Sequence, residues 1–285
     1  MQSLPQARDA ANAGSASLSH GVTAYHVTGD DGPWVVLVHG LVTPGYAWEG
    51  LAEELAAQGF RVLRYDQFGR GLSDRPRVNY DLDLYVGQLR ELVDALGIDS
   101  MHLVGWSMGA LIVTRFAAES PDRTASIALI APGLYAGGSL KLAGQFLLRL
   151  PGAQKVLASR INDVIDGLQR QHLSRPERFP DYNERAREQL RFPGMAESFA
   201  STVAHYPANA GDRWASVGQH RLPVLVVWGT DDSVTPYANH SRVLGLYPGA
   251  TLLTVEGAKH APHLDHPEIV YPGILQHLAA AANRN

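Results

Sequence analysis

Cysteine is absent from the 285 residues, which removes disulfides, thiol nucleophiles and thiolate metal sites together. A basic excess is missing as well: 24 Lys and Arg stand against 28 Asp and Glu, a formal charge of -4, and the cations occur singly rather than in runs. An electrostatic footprint for nucleic acid is therefore excluded. Residues 1–19, rich in Ala, Ser, Gln and Asn, lack the continuous apolar stretch of a signal peptide or membrane span. These absences point to a flexible tail over 1–19 on a cytoplasmic protein, with no nucleic-acid partner and no stable membrane insertion.

What is present is a chain with 45% hydrophobic residues, long enough to bury a large core. Short β-rich runs at 21–27, 34–39, 61–65, 101–106 and 126–131 alternate with helical patterns at 47–58, 82–96 and 109–119. Val35-Val36-Leu37-Val38 and Ala128-Leu129-Ile130 are apolar without alternation, as strands covered on both faces are. Repetition of strand, helix, strand predicts an α/β protein with a doubly wound, mostly parallel sheet. The rhythm then stops. Between about 134 and 222 the patterns are helical and broken by Pro151, Pro176, Pro180, Pro193 and Pro207, after which strand patterns resume at 223–228 and 251–255. The expected organisation is a core over 20–133 and 218–285, with a helical cap over 134–217 inserted after the sixth strand. Leu134, Leu142, Phe146, Leu147, Phe199 and Val203 either pack this cap or line an acyl or aromatic pocket beneath it.

Gly105-Trp106-Ser107-Met108-Gly109 follows the apolar run Met101-His102-Leu103-Val104 and leads into a helical pattern. With 28 glycines in the chain, a chance G-x-S-x-G is common, so the setting matters more than the motif. A sharp strand-to-helix turn holds its serine in a strained conformation, and needs small residues two positions to either side. Ser107 is then a nucleophile at a helix start, where main-chain N–H groups favour developing negative charge. The strand at 34–38 ends in His39-Gly40-Leu41. A loop there can aim Leu41 N–H at the same point as Met108 N–H, which makes these two the expected oxyanion donors, with His39 structural.

A serine hydroxyl needs a base, and neutral imidazole suits that at pH 7. The strand at 224–228 ends in Gly229-Thr230-Asp231-Asp232, so Asp231 or Asp232 supplies a carboxylate at the sheet edge where ligands bind. His260 is the first histidine after the next strand, at 251–255. The order Ser, Asp, His is the one this architecture uses. The run His260-Ala261-Pro262-His263-Leu264-Asp265-His266 superficially resembles a metal cluster, but Ala261 stands where the first further ligand belongs. No metal and no cofactor is expected.

The runs HGLVTPGYAW, YDQFGRGLSD, GWSMGA, WGTDDSVTP and GAKHAPHLDHPE resemble the successive signature loops of the α/β-hydrolase superfamily, and the likeness covers nearly the whole chain outside the tail and cap. The resemblance implies Asp232, the last residue of G-x-x-D, as the triad acid and His260 as its base, with Lys259 where a glycine is common. It also implies that Asp66, Gly69, Gly71, Ser73 and Asp74 form a structural loop. Relatives with an aspartate nucleophile are excluded by Ser107. Meta-cleavage product hydrolases use serine but typically carry Asn immediately before it, where this chain has Trp106. The implied activity is hydrolysis of a carboxylic ester with an apolar moiety, as in a carboxylesterase or lipase, through an acyl-enzyme. The alternatives are a C–C bond hydrolase of meta-cleavage-type diketones and a hydrolase-fold ligand receptor.

Overall fold

The computed structural model describes residues 3–135, 149–150, 152–207, 211 and 222–282. Eight strands form one sheet: β1 (Gly14–Leu18), β2 (Gly21–Thr28), β3 (Trp34–Val38), β4 (Arg61–Tyr65), β5 (Met101–Trp106), β6 (Thr124–Ile130), β7 (Val224–Gly229) and β8 (Thr251–Val255). Their spatial order is β1-β2-β4-β3-β5-β6-β7-β8. The first two pairings are antiparallel and the rest parallel. β5 and β7 are buried along their whole length, which is why their sequences show no alternation.

After β3 the chain turns outward to β4, and then crosses back to place β5 on β3's other side. The switch in direction leaves a crevice beyond the carboxyl ends of β3 and β5, the place where doubly wound sheets bind ligands. In register, Val38 lies beside Gly105, so His39-Gly40-Leu41 and Ser107 emerge as neighbours.

Helices cover both faces. On one, α3 (Leu82–Ala95) packs beside α4 (Met108–Glu119), and α4 lies on β3, β5 and β6. On the other, α2 (Glu49–Ala57) lies on β2 and β4 beside the C-terminal helix α11 (Pro267–Ala282), which covers β6, β7 and β8. Between β6 and β7 the described chain is helical: α5 (Ala153–Ala158), α6 (Ile161–His172), α7 (Tyr182–Glu188) and α8 (Met195–His205). Two further helices, α9 (His240–Leu246) and α10 (Pro262–Asp265), follow β7 and β8. Of the residues read as packing the cap or lining a pocket, Leu142, Phe146 and Leu147 lie outside the described residues.

The amino terminus differs from the loose tail read in sequence. Leu4–Ala10 forms α1, opened by a capping box between Ser3 and Gln6 with Pro5 in its first turn. Gly14–Leu18 forms the edge strand β1 against β2. Arg8 anchors the helix, giving Nε–H to Leu72 O at 2.8 Å and pairing with Asp74, which also accepts Val22 N–H. Asp74 belongs to the loop read as structural. In the same loop Asp66 accepts Gly45 N–H and Leu72 N–H at 2.8 and 2.7 Å.

Candidate active site

Ser107 sits between β5 and α4 with φ 55° and ψ -114°, left-handed backbone that a side chain adopts only where its surroundings enforce it. The enforcement is visible. Ser107 N–H donates to Ile130 O at 2.9 Å, and Ser107 O accepts from Gly133 N–H at 3.0 Å, so the turn is stitched to the end of β6. The flanking glycines answer to close approach: a Cβ on Gly105 would stand 2.5 Å from Gly109 O, and one on Gly109 would stand 2.0 Å from Val38 O.

His39 is fully buried and its tautomer follows from its partners. Its Nε2 accepts Gln67 N–H at 2.9 Å, so the proton is on Nδ1, which donates to Gly40 O at 2.8 Å. Burial pushes its pKa down to about 4, keeping that arrangement neutral. A trans peptide points its N–H opposite to its C=O. With Gly40 O held by His39, Leu41 N–H faces the other way, while Leu41 O is held by Arg70 Nε at 2.5 Å. Gly40 adjoins Ser107 itself, since a Cβ there would lie 3.4 Å from the serine Cβ. Met108 opens α4, so its N–H has no acceptor within the helix. Among the described residues neither Leu41 N–H nor Met108 N–H has a main-chain acceptor.

Asp232 and His260, read from two separate strand ends, meet: His260 Nδ1 donates to Asp232 Oδ2 at 2.9 Å. The carboxylate is buried. Burial alone would raise its pKa, but the facing imidazole and the hydrogen bonds from Thr235 outweigh it and leave the pKa lowered. Its Oδ1 accepts Val234 N–H and Thr235 N–H at 2.8 and 2.9 Å, an Asx-type turn, and Thr235 Oγ1 lies 2.8 Å from Oδ2. Asp231 is exposed and lies beside Thr230 instead.

Several contributors are not legible as such in the sequence. Thr235 is one; its only sequence signal is its position three residues after Asp232. Trp106 is another. Its indole N–H donates to His260 O at 2.8 Å, tying the residue before the serine to the backbone of the base loop. His263 is sandwiched between Trp48 and Trp106, with ring centroids at 4.6 and 4.8 Å. Neither of its nitrogens has a partner among the described residues. Asp265 accepts Ser174 N–H at 2.6 Å, Ser174 Oγ–H and Arg175 N–H at 2.9 Å, and His266 Nδ1–H at 2.8 Å. Those residues of the metal-like run are thus occupied with packing and tethering. Among the described residues no group of three His, Cys, Asp or Glu is placed to hold a metal ion.

The helices between β6 and β7 reach the same crevice. Arg70, buried beneath the Leu41 loop, also donates to Ser198 Oγ and Thr202 Oγ1 on α8 at 2.7 and 3.1 Å. Gln189 donates to Val42 O at 2.8 Å, and Tyr206 donates to Gly133 O at 3.0 Å. Leu134, Phe199 and Val203 are buried in the continuous apolar core. A cavity of about 380 Å³ lies elsewhere, bordered by Ala7, His26, Tyr46, Arg64 and Arg185 and by none of Ser107, Asp232 or His260.

A parallel-sheet enzyme with a strained serine at the switch point and an Asp–His pair on the following strand ends defines a class. The chain belongs to the alpha/beta hydrolase fold family, whose model matches residues 33–267. It is 32% identical over 252 residues to the pimeloyl-[acyl-carrier protein] methyl ester esterase of Aeromonas hydrophila, covering 83% of this chain and 92% of that one. Among solved structures it resembles the enol-lactonase from Burkholderia xenovorans, with a TM-score of 0.78 and 24% identity over 93% of this chain and all of that one. A meta-cleavage product hydrolase from Pseudomonas fluorescens matches with a TM-score of 0.73 and 20% identity over 94% of this chain and 98% of that one. The family acts on small molecules, and no described helix is long and apolar enough to cross a membrane.

Proposed function

We propose that the chain is a serine carboxylic ester hydrolase that works through an acyl-enzyme, with Ser107 as nucleophile, His260 as base and Asp232 as the acid that orients it. The observation that carries the reading is the strained Ser107 one residue from Trp106, whose indole holds the backbone of a histidine already paired with a buried carboxylate. Because Asp232 accepts at Nδ1, the Nε2 lone pair of His260 is the one available to the serine. It takes the Ser107 proton as Oγ attacks the ester carbonyl. The π bond of the carbonyl opens to an oxyanion, received by Leu41 N–H and Met108 N–H. Collapse expels the alkoxide, which takes the proton from His260, and water repeats the sequence on the acyl-enzyme to release the acid.

Main-chain donors already directed at the site need no reorganisation during reaction, and this preorganisation is worth most where water is excluded. The exclusion is assigned to residues 134–217, which act as a cap over a core made of 20–133 and 218–285. The 32% identity to a methyl ester esterase supports an ester over a C–C bond, as does Trp106 at the position before the serine. Hydrolysis of a graded series of esters, with one meta-cleavage diketone included, tests the reading. Turnover of esters that disappears in Ser107→Ala, with the diketone left intact, is the expected result. Ester turnover unchanged in Ser107→Ala ends the proposal.

A further inference from the structure

His172 is the last residue of α6, within the cap, yet its ring lies beside the base of the triad. Its centroid is 5.1 Å from that of His260 and 5.4 Å from that of Trp106, which it meets edge-on. Its carbonyl accepts Ala261 N–H at 2.9 Å, so the end of α6 is fastened to the residue after His260. The ring's Nδ1 lies 2.7 Å from the Tyr182 hydroxyl, which in turn lies 2.9 Å from Thr43 Oγ1.

One phenolic proton has two neighbours there. Imidazole nitrogen is the better acceptor, and a phenol is a stronger acid than an alcohol. The chain therefore runs from Thr43 O–H to Tyr182, and from Tyr182 O–H to His172 Nδ1. Burial, reinforced by His260 and His263, holds the His172 pKa well below the usual imidazole range, so the ring is neutral. A neutral ring that accepts at Nδ1 carries its proton on Nε2. Among the described residues that N–H has no acceptor, and with His172 7% exposed it stays open to a ligand that supplies one. The relay begins in the loop that carries Leu41, two residues before Thr43, so the oxyanion loop, the cap and this donor form one hydrogen-bonded unit.

We propose that His172 Nε2–H is a substrate-binding donor, and that the preferred substrates are acyl compounds bearing a second oxygen acceptor, such as a keto, alkoxy or ring oxygen, on the part covered by the cap. This rests on the serine-hydrolase reading of Ser107. Discrimination comes from the mismatch: a plain alkyl group leaves the donor unpaired, and polar sites reject substrates that lack the matching group far more strongly than apolar pockets reject extra atoms.

The test compares ethyl hexanoate with ethyl 3-, 4- and 5-oxohexanoate, using wild type, His172→Phe and His172→Gln, with fluorophosphonate labelling of each protein alongside. Wild type is expected to prefer at least one keto ester by about tenfold or more in kcat/KM. His172→Phe should bring that preference within about twofold, chiefly through the KM of the keto ester, and His172→Gln, which keeps a donor, should retain part of it. Labelling of wild type and of both variants is read alongside to show that Ser107 is still the reactive serine. No keto preference in wild type, or the same preference in His172→Phe, overturns the proposal while labelling leaves the serine reading standing. Wild type that neither labels nor turns over any ester overturns the serine reading itself.

Discussion

On the sheet side of Ser107 the polar groups are tied down largely by main chain, whereas towards the helices between β6 and β7 most ties are made by side chains reaching across, beside one main-chain bond from Ala261 N–H to His172 O. His39 is held by Gln67 N–H and Gly40 O, Asp232 by Val234 and Thr235 N–H, and the serine by Ile130 and Gly133. Across the cleft, Arg70 meets Ser198 and Thr202, Thr43 meets Tyr182, and Asp265 receives Ser174 and Arg175. The difference separates two tasks. Geometry fixed by backbone suits bond-making atoms, where small displacements cost rate. Attachment by side chains lets the helices between β6 and β7 change without disturbing them.

The largest effects expected from breaking this arrangement fall on the sheet side. Asp232→Asn should lower kcat/KM by about 10⁴-fold, as loss of the orienting carboxylate does in other triads, with KM for a simple ester little changed. Steady-state kinetics on a single ester check this; a loss below tenfold contradicts the role given to Asp232. Next comes Gly109→Ala, whose methyl would meet Val38 O at 2.0 Å. Backbone must move, so a stability loss of about 3 kcal/mol or more in urea unfolding is expected, and full stability would show the turn to be looser than described.

Towards the helices between β6 and β7 the expected effects are smaller and separable. Asp265→Ala leaves the Ser174 and Arg175 N–H groups without their acceptor, a cost of about 2–3 kcal/mol. Limited proteolysis should then cut within 149–207 before the core, and fluorophosphonate labelling should persist. Simultaneous loss of labelling would mean that this tie also holds Ser107, Asp232 and His260 in place.

His263→Phe gives the smallest effect at neutral pH and a larger one in acid. The folded pKa is pushed down to about 3 by burial, against about 6.5 in the unfolded chain. Between those values the unfolded chain binds the proton and the folded one does not. The stabilisation is therefore complete above pH 6.5 and is lost as pH falls towards 3, amounting to about 2 kcal/mol lost at pH 5. Phenylalanine fills the Trp48–Trp106 sandwich without titrating, so its unfolding free energy should fall less between pH 7 and pH 5 than that of wild type. Equal slopes would show that His263 is not held neutral.

This contrast also explains which features are legible in the sequence. Backbone geometry leaves marks in residue type: small residues at 105 and 109 where chains touch, His-Gly after β3, and a carboxylate and an imidazole on consecutive strand ends. Those marks pick out Ser107, His260 and the Asp231–Asp232 pair from residue order, and the family resemblance is what singles out Asp232. Side-chain ties leave no such mark. Nothing near His172 points to Tyr182 ten residues on or to Thr43 in another loop, and Trp106 does not announce that its indole reaches His260 O. The amino-terminal segment departs from the expected loose tail for a related reason. Gly14–Leu18 is short and polar, with a single buried position, so its strand character comes from pairing with β2 rather than from its own pattern. The Ser3–Gln6 capping box and Pro5 are the sequence signal for α1.

The central claim is that Ser107 is the one serine activated by this arrangement, and covalent labelling reaches it most directly. Wild type and Ser107→Ala are treated with a fluorophosphonate, and the intact masses and tryptic peptides are read by mass spectrometry. A single adduct on the peptide containing Ser107, absent from the alanine variant, is the predicted result; an adduct of equal yield in Ser107→Ala, or none in wild type, contradicts it.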